Sequence, residues 1–222
     1  MLLIQFVLGT VIGSFLFASY SRLIMGGHLL HPARSECDGC ATPLAWFDLI
    51  PVVSYLLLSG RCRYCHQKIP AATLCCELFF GSLLLTAQPT LLSLLYLTVG
   101  SLLFFMADYD FKRFMFPASY GYCLMFFAIT VYTLFRPHHL TTIFLILVWL
   151  SLQVITIKLT WIGSGDLEVL LCLLIILGLM PFIWLILLSS GLALIISLIS
   201  QEQRLPFVPF IAVSYLIILF FI

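Results

Sequence analysis

Four cysteines stand in two short pairs, Cys37-Asp38-Gly39-Cys40 and, 21 residues later, Cys62-Arg63-Tyr64-Cys65. Two Cys-x2-Cys turns at that separation can close on one tetrahedral ion, each turn presenting two thiolates about 2.3 Å from zinc. Four thiolates leave no open coordination position, so such a metal is structural and not catalytic. Arg61, Arg63 and Lys68 flank the second pair and would offset part of the negative charge around the ion. The alternative is two disulfides or four uncombined thiols; a reducing cytoplasmic setting argues against the disulfides. Cys75, Cys76, Cys123 and Cys172 lie in apolar runs and read as small apolar filler.

A second group is acidic. Asp108 and Asp110 close an apolar run in Ala107-Asp108-Tyr109-Asp110-Phe111-Lys112-Arg113, and Asp166 ends Gly163-Ser164-Gly165-Asp166 just before another. An ionisable group at a membrane boundary costs a few kcal/mol if drawn into hydrocarbon, which makes it a functional candidate. Two carboxylates that share a proton acquire separated pKa values, so that one can act as base toward a water while the other donates to a carbonyl oxygen. That pair suffices for peptide hydrolysis without a catalytic metal or nucleophilic side chain. The plainer alternative is that each acid reaches the interface and pairs with Lys112 or Arg113. Gly163 and Gly165 favour the active role for Asp166, because a Gly-x-Gly turn admits the close approach of an extended substrate backbone. Glu77 is a further acid, about two turns into an apolar run, whose partner the sequence does not name.

The elements that must carry these groups are membrane helices. Of 222 residues, 63% are hydrophobic and 9% charged, against about 45–50% and 25% in soluble domains, and mean hydropathy is +1.20. Net charge is +1 and the pI about 7.6, so neither a nucleic-acid footprint nor an acidic tail is present. Residues 1–20 read as a retained first span, with no basic n-region of a signal peptide, and Gly9 and Gly13 form a small-xxx-small pair for close helix packing. Residues 21–70 hold much of the charge and four prolines and form a water-facing module. Apolar runs then follow at 71–88, 91–106, 118–135, 141–161, 167–180, 182–199 and 206–222, without the alternation of barrel strands. The expected fold is therefore all-α and polytopic, with about eight transmembrane helices and a cytoplasmic zinc-binding loop between the first two. Breaks at Gln88-Pro89 and Met180-Pro181 are weakly marked.

Alternation over eight spans with the 21–70 loop inside puts Arg22, Arg34, Arg61, Arg63, Lys68, Lys112, Arg113, Lys158 and Arg204 in the cytoplasm and only Arg136 outside. That asymmetry is a positive-inside signal. It also sets Asp108, Asp110 and Asp166 on the cytoplasmic edge. His138 and His139 share the outer loop with Arg136 and read as ordinary solvated histidines.

Taken in order, these residues resemble the bacterial type IV prepilin peptidases, membrane aspartic proteases of pilus, type II secretion and competence systems. The resemblance rests on Gly13-Ser14-Phe15-Leu16, on the stretch from Pro32 through Ser35, Leu44-Ala45-Trp46, Asp48, Ile50-Pro51, Ser54-Tyr55 and Gly60 to Ile69 and Glu77, on Gly-Ser-Gly-Asp166, and on Leu205-Pro206-Phe207-Val208-Pro209-Phe210. It implies Asp166 and Asp110 as the catalytic pair, the latter because it stands seven residues before Pro117; Asp108, nine before, is the second choice. It implies cleavage, at the cytoplasmic face of the inner membrane, of a short basic leader from the hydrophobic helix of a pilin-like precursor. Many members also N-methylate the new terminus with S-adenosylmethionine. Here that activity rests on resemblance alone, since no Gly-rich nucleotide-binding turn is visible. Three positions depart from the family pattern: Phe17 for an asparagine, Glu168 for a lysine and Val208 for a glycine.

Two other classes fit the residues. The chain could be a transporter or channel whose boundary acids relay protons, or an assembly scaffold whose metal loop docks a partner.

Overall fold

The computed structural model describes residues 1–24, 35–135, 144, 147–151, 164–200 and 204–221. Gly163, Arg34, Arg136, His138, His139 and Lys158, and most of the expected 141–161 span, lie outside the described residues.

Among the described residues no β-strand forms; two isolated antiparallel bridges join Glu36 to Pro43 and Arg61 to Lys68. Each apolar run expected to be helical carries a helix over most of its described residues, except the 141–161 run, most of which lies outside them. The helices are α1 (Leu2–Ile24), a 3-10 turn (Trp46–Leu49), the short α2 (Val53–Leu57), α3 (Ala71–Leu85), α4 (Leu91–Arg113), α5 (Ala118–Phe135), α6 (Ser164–Leu177), α7 (Leu179–Ser200) and α8 (Val208–Leu219). Four of them, α1, α4, α5 and α7, are long and apolar enough to cross a membrane.

Local chemistry sets several of the ends. Thr90 caps α4, its hydroxyl accepting the Ser93 N–H at 3.1 Å while Ser93 Oγ accepts the Gln88 N–H at 2.9 Å, a reciprocal cap just after Pro89. The far end of α4 runs past the expected 106 to Arg113, so Asp108 and Asp110 lie within the helix and not beyond it. Phe114 ends it in the left-handed conformation, φ 54°, with its N–H on the Asp110 carbonyl. The break expected at Met180-Pro181 falls instead at Gly178, whose φ of 82° suits a glycine C-cap. Pro181 is accommodated in the first turn of α7, where its missing N–H has no helical partner to lose.

The chain divides into two units, Met1–Ala87 and Gln88–Ile222. In the first, α1 packs along α3 through the expected glycines. A Cβ on Gly13 would stand 2.8 Å from Phe80 Cβ and 3.1 Å from the Cys76 carbonyl oxygen, and one on Gly9 would meet Gly81 Cα at 2.8 Å. The close approach lets Cys76 Sγ donate to the Gly13 carbonyl at 3.4 Å. In the second unit α4 packs on α5 and α8, α5 on α6, α6 on α7 and α7 on α8, so five helices close a ring. Its centre is filled by Val99, Leu103, Met106, Leu124, Leu173 and Ile211, all essentially buried. Tyr215 is wholly buried with them, and its hydroxyl donates to the Tyr96 carbonyl at 3.0 Å, which satisfies the one polar atom it brings into the core.

Candidate functional site

The two cysteine pairs fold alike. In the first, Ala41 N–H bonds the Cys37 carbonyl and Cys37 N–H bonds Thr42; in the second, His66 N–H bonds the Cys62 carbonyl and Cys62 N–H bonds Gln67. The residue after the second cysteine of each pair is left-handed, Ala41 at φ 52° and His66 at φ 57°. Gly39 lies flat against the Gln67 side chain, where any Cβ would collide with it. These turns bring the ligand atoms of Cys37, Cys40, Cys62 and Cys65 within 4.8 Å of one another. A tetrahedron with zinc–sulfur bonds of about 2.3 Å has sulfur–sulfur edges of about 3.8 Å, and Cys37 and Cys65 already stand 3.7 Å apart. All four thiols are free, so this site fits zinc and not a disulfide pair.

Cys40 is pulled down to about 6, first by its hydrogen bond to the Thr42 side chain and then by the Thr42 backbone. Cys62 is lowered by the backbone N–H groups of Cys65 and Tyr64. The Gln67 backbone also favours a Cys65 thiolate, but loss of water and the crowding sulfurs of Cys37, Cys40 and Cys62 prevail and push it up to about 12.

Arg63, between the second pair of cysteines, points away from them. Its Nε and Nη2 donate to Asp48 Oδ1 at 3.0 Å and 2.8 Å, and its guanidinium lies 4.9 Å over the Phe47 ring. The arginine therefore fastens the 3-10 turn to the metal cluster; its charge is shared with Asp48, not reserved for the thiolates. Glu77 also finds its partner. It is buried in α3, and its Oε2 accepts the Val52 N–H at 2.7 Å, at the N-cap of α2, where Val52 has φ 62°.

In the second unit the acids separate by role. Asp108, buried, takes Lys112 Nζ at 2.7 Å one turn along α4, and Arg113 stacks 5.2 Å over Tyr109; the plain ion-pair reading holds for Asp108. Asp110, also buried, makes no such pair among the described residues: Oδ2 accepts the Val208 N–H at 3.2 Å, the first residue of α8. Asp166 lies half-buried in the first turn of α6. Each carboxylate thus meets the positive end of a helix. Both acids belong to the second unit, where α5 packs on α4 and on α6.

Two positions near the acids have contacts that the sequence did not name. Gly165 is helical, within α6, and the group that needs its missing side chain is the Phe116 ring, whose Cε1 would lie 2.8 Å from a Cβ there. Glu168, at the departing position, accepts Trp149 Nε1 at 3.1 Å and lies against Gly121, which leaves it room. Phe116, Val208 and Trp149 were not singled out as neighbours of the acids; the only sequence cue was that each lies next to a proline, or in an apolar run, near a charged position.

Residues 7–90 match the family model of the bacterial peptidase A24 N-terminal domain. Three curated relatives carry the name prepilin leader peptidase/N-methyltransferase. The Vibrio cholerae serotype O1 (strain ATCC 39315 / El Tor Inaba N16961) protein is 30% identical over 81 residues, covering 35% of this chain and 32% of its own. That of Myxococcus xanthus (strain DK1622) is 40% identical over 78 residues, 35% of this chain and 23% of its own. That of Bacillus subtilis (strain 168) is 34% identical over 86 residues, 37% of this chain and 34% of its own. The likeness thus spans about a third or less of each relative's length. No solved structure matches. The cysteine cluster, the Asp48–Arg63 pair and Glu77 fall inside the matched residues, and Asp110 and Asp166 beyond them. Over residues 7–90, then, this chain is similar to the bacterial peptidase A24 N-terminal domain, and its likeness to the prepilin leader peptidases is confined to that stretch.

Proposed function

We propose that the chain is an aspartic endopeptidase of the bacterial inner membrane that removes the short leader from a pilin-like precursor, with Asp110 and Asp166 as its catalytic pair. The observation that carries the reading is that these two carboxylates, 56 positions apart in the chain, belong to one helical unit in which α5 packs against both the helix of Asp110 and the helix of Asp166. Both meet helix N-termini, while the neighbouring Asp108 is taken by Lys112. In the proposed reaction the ionised member takes a proton from a water that attacks the scissile carbonyl. The protonated member donates to the carbonyl oxygen as it gains charge. The tetrahedral species then collapses as a proton passes to the leaving nitrogen.

In the same reading eight helices cross the bilayer, with the Lys and Arg asymmetry setting the 21–70 loop and both acids on the cytoplasmic side. Zinc held by Cys37, Cys40, Cys62 and Cys65 is structural. S-adenosylmethionine-dependent methylation of the product enters from the relatives' printed name and from the family resemblance alone.

The test is direct. Purified chain in detergent is incubated with a precursor peptide carrying a basic leader and the start of an apolar helix, and the products are weighed by mass spectrometry. A single cut at the leader–helix junction supports the proposal. Intact peptide, together with ion flux through liposomes carrying the chain, would favour the transporter reading.

A further inference from the structure

The segment between the two cysteine pairs carries an apolar stripe on its outside. Trp46 and Leu49 on the 3-10 turn, Ile50 on the joining turn, and Val53, Leu56 and Leu57 on α2 together form this stripe. All six are exposed, Trp46 at 77% and Leu57 at 79%. A small water-facing module should turn such a stripe inward. Instead its inward contacts are polar or aromatic: Asp48 on Arg63, and Tyr55 packed against Gly60, where a Cβ would stand 2.8 Å from the Tyr55 hydroxyl.

The depth of this stripe along the membrane helices can be worked out. Gly13 faces Cys76 and Phe80 across the α1–α3 pair, and the two helices run in opposite directions. Nine residues on from Gly13, Arg22 therefore lies level with the start of α3, beside Lys68 and Pro70. These charges mark the edge of water. Glu77 is six residues into α3, or about 9 Å along its axis. Its side chain leans back toward the helix start, and it holds the Val52 N–H at 2.7 Å. The turn that joins the 3-10 segment to α2 is thereby fastened several ångströms on the lipid side of the Arg22–Lys68 level. A peripheral helix immersed in a bilayer interface lies about 5–10 Å deep, the same range.

We infer that residues 46–57 are an interfacial element, their apolar stripe seated in the headgroup and upper acyl region of the bilayer that α1 and α3 cross, with Glu77 as the positioning residue that holds them there. A tryptophan at the edge of the stripe suits that depth, its ring being apolar with one polar N–H. The occupant of the stripe is lipid and not a protein partner. The inference uses the helix pair α1–α3 and no part of the peptidase reading, so either can fail without the other.

The zinc-loaded full chain in phosphatidylcholine nanodiscs tests it, with Trp46→Phe providing a difference spectrum that isolates Trp46. The Trp46 emission should be blue-shifted, shielded from aqueous iodide, and quenched more by lipids brominated near the headgroup end of the acyl chain than near its terminal methyl. Glu77→Ala should raise the iodide quenching of Trp46 several-fold while zinc content stays constant. Emission of a water-exposed indole, open to iodide and indifferent to brominated lipid, would overturn the inference. So would a Trp46 that becomes shielded only when a precursor peptide is added, which would make the stripe a protein-docking surface. Leu57→Trp in the Trp46→Phe background repeats the measurement from the other end of the stripe.

Discussion

The carboxylate of Asp110 in α4 accepts the backbone N–H of Val208, 98 positions later, at 3.2 Å. Val208 is fully buried, opens α8, and no side chain of its own N-cap residue, Phe207, serves that end. The acid proposed for catalysis is therefore also a helix cap, and the two roles separate by substitution. Asp110→Asn keeps an acceptor and should leave the melting temperature in detergent close to that of the parent. Asp110→Ala orphans a buried donor and should cost about 1–3 kcal/mol, read as a clear fall in melting temperature.

Zinc should be bound one ion per chain, and its removal should loosen the loop first. Limited proteolysis after chelation is expected to cut within residues 35–70 while the helices of the second unit stay protected. Cys37→Ser should lower the zinc content measured by atomic emission. Because the Cys65 thiol is pushed up to about 12, it carries its proton at neutral pH and must lose it to the metal. Zinc uptake by the apo chain should thus acidify a weakly buffered solution, and affinity should rise with pH.

The α1–α3 contact tolerates no side chain at its closest point. Gly13→Val would drive a branched group into Phe80 and the Cys76 carbonyl oxygen, both within about 3 Å of where its Cβ must lie. Overpacking of this kind costs about 1–3 kcal/mol, and the expected result is a lowered melting temperature or loss of folded protein on size-exclusion chromatography. Gly191, whose Cβ would meet nothing, is the control: Gly191→Ala should be neutral or stabilising.

Asp48 and Arg63 are unequal partners, with side chains 3% and 47% exposed, and Asp48 Oδ2 is buried without a hydrogen bond among the described residues. Arg63→Gln strands a carboxylate and should destabilise the zinc-loaded chain by about 1–3 kcal/mol. Adding Asp48→Asn should recover much of the loss, because the stranded charge is then gone. Thermal melts of the two single variants and the double variant measure the coupling, and Arg63→Lys should fall between parent and Arg63→Gln, keeping the charge but losing the fork.

What could be read from the sequence was whatever is local or repeated. The Cys-x2-Cys spacing contains its own geometry, since each turn needs only six residues to form. The Gly9–Gly13 pair shows its use because lipid offers helices little reason to approach except small residues. Helix ends were less legible: α4 runs to Arg113 because Lys112 and Asp108 pair along it, which makes a charged last turn cheap to keep helical. Contacts between residues far apart in the chain left no trace. Neither the Glu77 bond to Val52 nor the Asp110 bond to Val208 uses a partner side chain, so no residue type advertises it. The contact of Gly165 with the Phe116 ring was not legible for a related reason, because a glycine beside an aromatic ring looks like any other in sequence.

Cleavage of one precursor by the parent, Asp110→Asn and Asp166→Asn, each verified as folded by its melting temperature and its zinc content, is the closest test of the central claim. If the two carboxylates share the reaction, the parent cuts at the leader junction and each Asn variant loses activity by several orders of magnitude. A folded Asn variant that cuts at the parental rate would remove that aspartate from the chemistry and with it the paired-acid mechanism.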